Sequence, residues 1–218
     1  MNPDIVTTLA AYIWALDYGS VLVFALTGAL VASRQQLDIT GFIFMAALTA
    51  VGGGTLRDLV LGRDPVFWVE RPGLIVTAAV AAFIVYWAAP FLESRYRWLL
   101  WLDAIALGVA VPAGVGVAFA TGYGPIIVVI CGVITACMGG LIRDVVGNEV
   151  PLILKGSELY LTAAFGGALA GLLLVWLGLP RPMALIGCGL ATFVLRAGAM
   201  IWGWSLPAYR PRPPRNFG

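Results

Sequence analysis

The chain has no histidine, three cysteines and few charges: only 11% of its 218 residues are Asp, Glu, Lys or Arg. Each shortage excludes something. Without histidine, the usual proton shuttle near neutral pH is missing. Cys131, Cys137 and Cys188 lack companions at ligand spacing, so neither a zinc site nor a disulfide framework is indicated and they read as small packing residues. The net charge of +2 is scattered along the chain, with no basic stripe for nucleic acid. No nucleophile with an adjacent base and no metal cluster stands out, so the chain reads as neither an enzyme nor a cofactor protein. With 61% hydrophobic residues and a mean hydropathy of +0.96, too little polar surface is left to clothe a soluble globule.

What the chain has instead is apolar length. Crossing about 30 Å of hydrocarbon takes roughly 20 apolar residues in a helix, and seven such spans are expected at 13–33, 40–61, 73–90, 98–120, 125–146, 158–177 and 183–204. Continuous runs of this length exclude a transmembrane barrel, whose strands alternate over about 10 residues. The first eleven residues carry Asp4 and no Lys or Arg, so they lack a signal peptide's basic start and the first span is expected to stay. The expected fold is an all-α membrane protein, one membrane domain over 1–218. All eight tryptophans fall near span ends, where an amphipathic ring prefers the interface.

The sequence Gly52-Gly53-Gly54-Thr55-Leu56-Arg57-Asp58 returns 86 residues later as Met138-Gly139-Gly140-Leu141-Ile142-Arg143-Asp144. The same shift pairs Asp17 with Asp103, Gly28 with Gly114, Thr49-Ala50 with Thr135-Ala136 and Pro65 with Pro151, without a gap. Each unit holds three spans, so the second enters the membrane from the opposite side: two inverted three-helix repeats, at 13–90 and 98–177, with 183–204 as a seventh helix. Many transporters share that architecture. Basic residues set the orientation. Arg34, Arg95, Arg97, Lys155, Arg210, Arg212 and Arg215 lie on one side and Arg63, Arg71 and Arg181 on the other, which puts the N-terminus outside and the 205–218 tail in the cytoplasm.

Ionisable side chains inside spans are costly and mark functional sites. Here they are Asp17, Arg57, Asp58, Asp103, Arg143, Asp144 and Arg196. Neighbours on a helix point in different directions, so Arg57 is expected to seek Asp17 and Arg143 to seek Asp103, leaving Asp58 and Asp144 to face water or a cation. Arg196 is expected to meet Asp144 or Glu158. Consecutive glycines spread around a helix and suit bending better than packing. Gly52, Gly53 and Gly54 are therefore expected to kink or unwind span 2, freeing carbonyls that can ligate a cation. The spaced pairs Gly167/Gly171 and Ala110/Gly114 read instead as helix-packing contacts, and Pro112 is expected to bend span 4.

The long motif, its continuation Gly62-Arg63-Asp64-Pro65-Val66-Phe67-Trp68 and the echo in the second repeat resemble the prokaryotic TRIC family of trimeric intracellular cation channels, which also carries a glycine-transporter label. The resemblance runs from about Asp17 to Trp204. It implies a homotrimer in the plasma (inner) membrane, each protomer with a pore for potassium or sodium ions. It also implies glycine motifs of helices 2 and 5 lining that pore, here Gly52, Gly53, Gly54, Gly139 and Gly140, with K+ held by the carbonyls of Gly52, Gly53, Gly54 and Gly139. Met138 replaces the first glycine of the second motif. Val51 stands where animal members carry a lysine tied to lipid binding, so lipid control through that position is not expected. A passive potassium channel is the leading expectation, with ions passing Asp58 or Asp144. The alternative is a secondary transporter of a small zwitterion such as glycine, with Arg57 holding the carboxylate and Asp144 the ammonium.

Overall fold

The structure, a computed structural model, describes residues 3–92, 94–154 and 159–207, with the backbone alone for residues 3–9. Among them run eight α-helices and no strand: α1 (Pro3–Arg34), α2 (Ile39–Val60), the four-residue α3 (Phe67–Glu70), α4 (Gly73–Ala88), α5 (Arg95–Ala120), α6 (Pro125–Val146), α7 (Tyr160–Trp176) and α8 (Arg181–Trp202). The seven long helices follow the seven expected spans. Six are long and apolar enough to cross a membrane, and α7, at 17 residues, is shorter. The short α3 was not expected from the hydropathy pattern. The expected cytoplasmic tail falls mostly outside the described residues, as does Glu158.

The helices stop where the backbone turns left-handed, and the stops repeat. Gln36 (φ 56°) and Gly122 (φ 80°) end the first helix of each unit; Gly62 (φ 63°) and Asn148 (φ 52°) end the second. At the latter pair, the next N–H reaches back five residues, Arg63 to Asp58 at 2.9 Å and Glu149 to Asp144 at 2.8 Å, satisfying a carbonyl the helix cannot. At the start of α2, Asp38 accepts from the Gly41 N–H (2.8 Å) and the Thr40 hydroxyl (2.7 Å), and these bonds hold its carboxyl below the ordinary value.

Four helices form the centre: α1 packs on α2 and α5, and α6 packs on α5 and α2. The two like-with-like contacts are antiparallel. Gly53 of α2 lies against the Thr135 carbonyl of α6 while Gly139 of α6 lies against the Thr49 carbonyl of α2. In α1 and α5, Gly19 meets Val109 and the Arg95 guanidinium reaches the Ser33 carbonyl. Exchanging every residue for its counterpart 86 positions away maps the α2–α6 contact onto itself, so the two repeats are inverted about a pseudo-two-fold axis. On the flanks, α4 covers α1 and α2, and α7 covers α5 and α6. Outward side chains such as Val76, Phe83, Leu173 and Val194 are apolar and exposed, as a lipid-facing surface requires.

The helix outside the duplication, α8, packs on α7 and α5. Gly167 and Gly171 of α7 meet Thr192 and Cys188 of α8, the small-residue packing expected of that pair. On α5 the reason is Pro112. Its missing N–H leaves the Gly108 carbonyl without the usual helical donor, although α5 remains one helix through the proline. Gly189 of α8 sits against that carbonyl, and a Cβ there would come within 2.5 Å of it. The counterpart of Pro112 is Leu26, which keeps its N–H, so α1 offers no such place. Gly189→Leu is expected to lever α8 from α5 at a cost of about 1–3 kcal/mol, typical of overpacking. Leu190→Ala, on the exposed face, should cost under about 1 kcal/mol. Thermal unfolding in detergent measures both.

Candidate functional site

The α2–α6 crossing is a backbone-to-backbone contact. A Cβ at position 53 would fall onto the Thr135 carbonyl and one at 139 onto the Thr49 carbonyl, so both places admit only glycine. The two threonines are turned inward on their own helices: Thr49 Oγ1 donates to the Met45 carbonyl and Thr135 Oγ1 to the Cys131 carbonyl, each at 2.6 Å. Gly28 of α1 then sits on Met45 and Thr49, and Gly114 of α5 on Cys131 and Thr135. Four glycines thus draw four helices together about two threonines.

The expected unwinding of span 2 is not seen. Both α2 and α6 run unbroken through their glycine motifs, so the carbonyls of Gly52, Gly53, Gly54 and Gly139 stay within regular helix instead of being released. The glycines serve close packing. Consecutive glycines point in different directions around the helix, and each meets a different neighbour: Gly52 faces Ile142, Gly53 faces Thr135 and Gly54 faces the Phe67 ring. In the second motif, Gly140 lies beside the Tyr160 hydroxyl.

One turn beyond each crossing glycine stands a buried arginine, and because the helices are antiparallel the two arginines lie toward opposite membrane faces. Arg57 Nη1 lies 3.4 Å from Asp17 Oδ1, and Arg143 Nη1 lies 2.7 Å from Asp103 Oδ1, the pairings expected from topology. All four side chains are buried. The expectation for the following aspartates is overturned. Arg57 Nε donates to Asp58 Oδ1 at 2.9 Å and Arg143 Nε to Asp144 Oδ1 at 2.8 Å. Adjacent Cβ atoms do diverge, but each pair sits in the last turn of its helix and a guanidinium is long enough to fold back across it. The other carboxylate oxygen takes a backbone donor from the returning chain, Phe67 N–H at 2.7 Å for Asp58 and Leu152 N–H at 2.8 Å for Asp144. Neither aspartate is left facing water. Each anchors the short helical turn that follows its helix.

The two clusters differ in what closes them. In the first, Arg71 Nη2 donates to Asp17 Oδ2 (2.7 Å) and Arg63 Nη1 to Asp58 Oδ1 (3.2 Å), and both arginines are partly exposed, so the cluster communicates with its membrane face. In the second, Tyr160 and Arg196 are buried and the Arg196 guanidinium lies 5.2 Å over the Tyr160 ring. Asp144 binds Arg143 and Leu152 instead of Arg196; the other expected partner of Arg196, Glu158, lies outside the described residues. Sequence reasoning missed Arg63, Arg71 and Tyr160 as cluster members. The repeat could not reveal them, because Ser157 and Leu74 are the counterparts of Arg71 and Tyr160. It did contain Gly28/Gly114 and Thr49/Thr135, whose matched register was the sign of the crossing. Among the described residues, no group of three His, Cys, Asp or Glu could hold a metal ion.

A family model described as glycine transporter matches the chain twice, over residues 14–90 and 100–176. Relatives agree along nearly the whole length: the UPF0126 inner membrane protein YadS of Escherichia coli is 37% identical over 90% of this chain and 96% of its own. A UPF0126 membrane protein of Vibrio cholerae is 36% identical over 90% and 82%. Among solved structures, the TRIC trimeric intracellular cation channel orthologue from Rhodobacter sphaeroides is 46% identical, with a TM-score of 0.85 over 88% of this chain and 98% of that one. The chain belongs to the prokaryotic TRIC family. A second TRIC cation channel structure is 34% identical, with a TM-score of 0.81 over 92% of this chain and 98% of that one. This TRIC-family chain is a multi-pass membrane protein, with six helices long and apolar enough to cross a membrane among the described residues and relatives named as membrane or inner membrane proteins.

Asp103→Ala would leave the buried Arg143 charge half served and is expected to cost about 3–5 kcal/mol, the range for breaking a buried pair from one side. Asp103→Ala/Arg143→Met should not recover that loss, because it takes from buried Asp144 the arginine that neutralises it. Arg63→Gln, at the exposed rim, should cost under about 1 kcal/mol. Unfolding in detergent that shows equal losses for Asp103→Ala and Arg63→Gln would contradict the geometry.

Proposed function

We propose that this chain is a passive channel for monovalent cations, potassium foremost, assembled as a homotrimer with a permeation path within each protomer along the α2–α6 crossing. The observation that carries the reading is the likeness, at 46% identity and a TM-score of 0.85, to a TRIC trimeric intracellular cation channel. The buried charges lying on both sides of the crossing fit it. Gly52, Gly53, Gly54, Gly139 and Gly140 line the path, and Arg57, Asp58, Arg143 and Asp144 flank it, supported by Asp17, Asp103 and Arg196. A cation would meet arginine at each end, so the paired aspartates have a function besides anchoring: they neutralise a field that would repel it. With α2 and α6 in backbone contact, the arrangement described above is a shut one. Carbonyl ligation of potassium by Gly52, Gly53, Gly54 and Gly139 belongs to a conducting conformation in which the helices loosen at those residues. The excess of basic residues on one side supports an N-terminus outside and a C-terminus in the cytoplasm of a bacterial-type inner membrane.

Planar-bilayer recording of the purified protein in a potassium gradient tests this. Wild type should give unitary currents reversing near the potassium potential. Asp58→Asn, which leaves Arg57 and Arg63 less neutralised, should lower cation conductance severalfold with the trimer intact. A silent wild-type bilayer with saturable uptake of labelled glycine would overturn the channel in favour of a zwitterion carrier, the reading suggested by the family model's description.

A further inference from the structure

We propose that Arg97, Trp98 and Trp101, at the start of α5, bind the phosphate headgroup of an anionic phospholipid. The basic residues around them have partners. Arg95 donates to the Ala89 and Ser33 carbonyls, each at 3.2 Å, and Arg34 pairs with Glu149 at 3.0 Å while its guanidinium lies over the Tyr96 ring. Arg97 is exposed and, among the described residues, has neither a hydrogen bond nor an ion pair. Its side chain instead borders two adjoining cavities, one of about 520 Å³ with Phe91, Ser94 and Trp98, the other of about 210 Å³ with Met200 of α8. Trp101 borders both.

The depth of this place in the membrane follows from its aromatics. Trp87, Phe91 and Trp98 are exposed where α4 ends and α5 begins, and Trp202 stacks on Trp204 at 5.3 Å where α8 ends on the same side. Such a ring of indoles marks the headgroup level. An exposed guanidinium there, flanked by indole rings, is suited to a phosphodiester, which it can grip through two N–H groups while acyl chains run down the lipid-facing helices. The duplication does not require this site: the counterparts of Arg97 and Trp101 are Ala11 and Ala15.

Native mass spectrometry of the full chain in detergent, titrated with phosphatidylglycerol or phosphatidylcholine of identical chains, tests the proposal. Wild type should retain phosphatidylglycerol severalfold over phosphatidylcholine. Arg97→Gln, an exposed change that leaves the unfolding temperature unaltered, should bring the two to equality, while Arg97→Lys should keep part of the preference. Arg181→Gln, at the opposite membrane face, should retain it in full. Equal retention by wild type, or a preference that survives Arg97→Gln, would overturn the site. Displacement by millimolar glycerol phosphate would assign it to a soluble anion instead of a lipid.

Discussion

The contact on which the rest depends is the meeting of two helix backbones, Gly53 with Thr135 and Gly139 with Thr49. Lipid tails are as apolar as leucine, so helices in a bilayer gain little by hiding apolar side chains from their surroundings and associate by close packing and polar contacts. An approach with no Cβ between the backbones maximises the former. It also fixes the register of α2 against α6, and register sets where everything polar falls. Arg57 and Arg143 stand one turn beyond the contact, so the crossing holds both buried charge clusters at a set depth. Gly28 and Gly114 bring α1 and α5, which carry Asp17 and Asp103, against the same threonines.

Duplication explains the symmetry and local chemistry explains its failure. Both clusters consist of an arginine, the aspartate after it and an aspartate from the first helix of the repeat. The residues that complete them are not shared. Partly exposed arginines complete one; a tyrosine ring beneath a guanidinium completes the other. The same holds for α8, which docks where Pro112 has deprived a carbonyl of its donor and has no counterpart site on α1. Inverted halves alone would carry identical clusters toward the two faces; these additions leave one cluster partly exposed and the other buried.

Much of this was legible in the sequence, and the reasons are physical. Span length, the matched register and the odd number of spans per repeat determine the fold class and its inversion, because hydrocarbon thickness and chain topology admit no other arrangement. Asp17–Arg57 and Asp103–Arg143 were predictable because a buried charge must find an opposite one at the same depth. The errors came from applying a local rule where a tertiary contact prevailed. Three glycines in succession look like a place to unwind in isolation, but the helix continues through them and each has a separate neighbour. Asp58 and Asp144 look unpaired when a helix is drawn as a wheel, yet the arginine folds back and the returning chain supplies an N–H. Arg71 and Tyr160 left no trace in the repeat, since nothing in one half announces a residue present only in the other.

If the crossing is the barrier to ions, fixing it should fix the current. A Cβ at position 52 would lie 3.0 Å from Ile142 Cδ1, so Gly52→Cys/Ile142→Cys places two thiols across the interface while removing the atom the first would meet. The native cysteines are buried and should not interfere. Bridging the pair with a short bis-methanethiosulfonate, which forms a disulfide with each thiol and releases methanesulfinate, should link the helices within one chain, silence the potassium current and allow its return on reduction by an added thiol. Failure of the bridge to form, or undiminished current through bridged protein, would contradict a pore that opens at the meeting of α2 and α6.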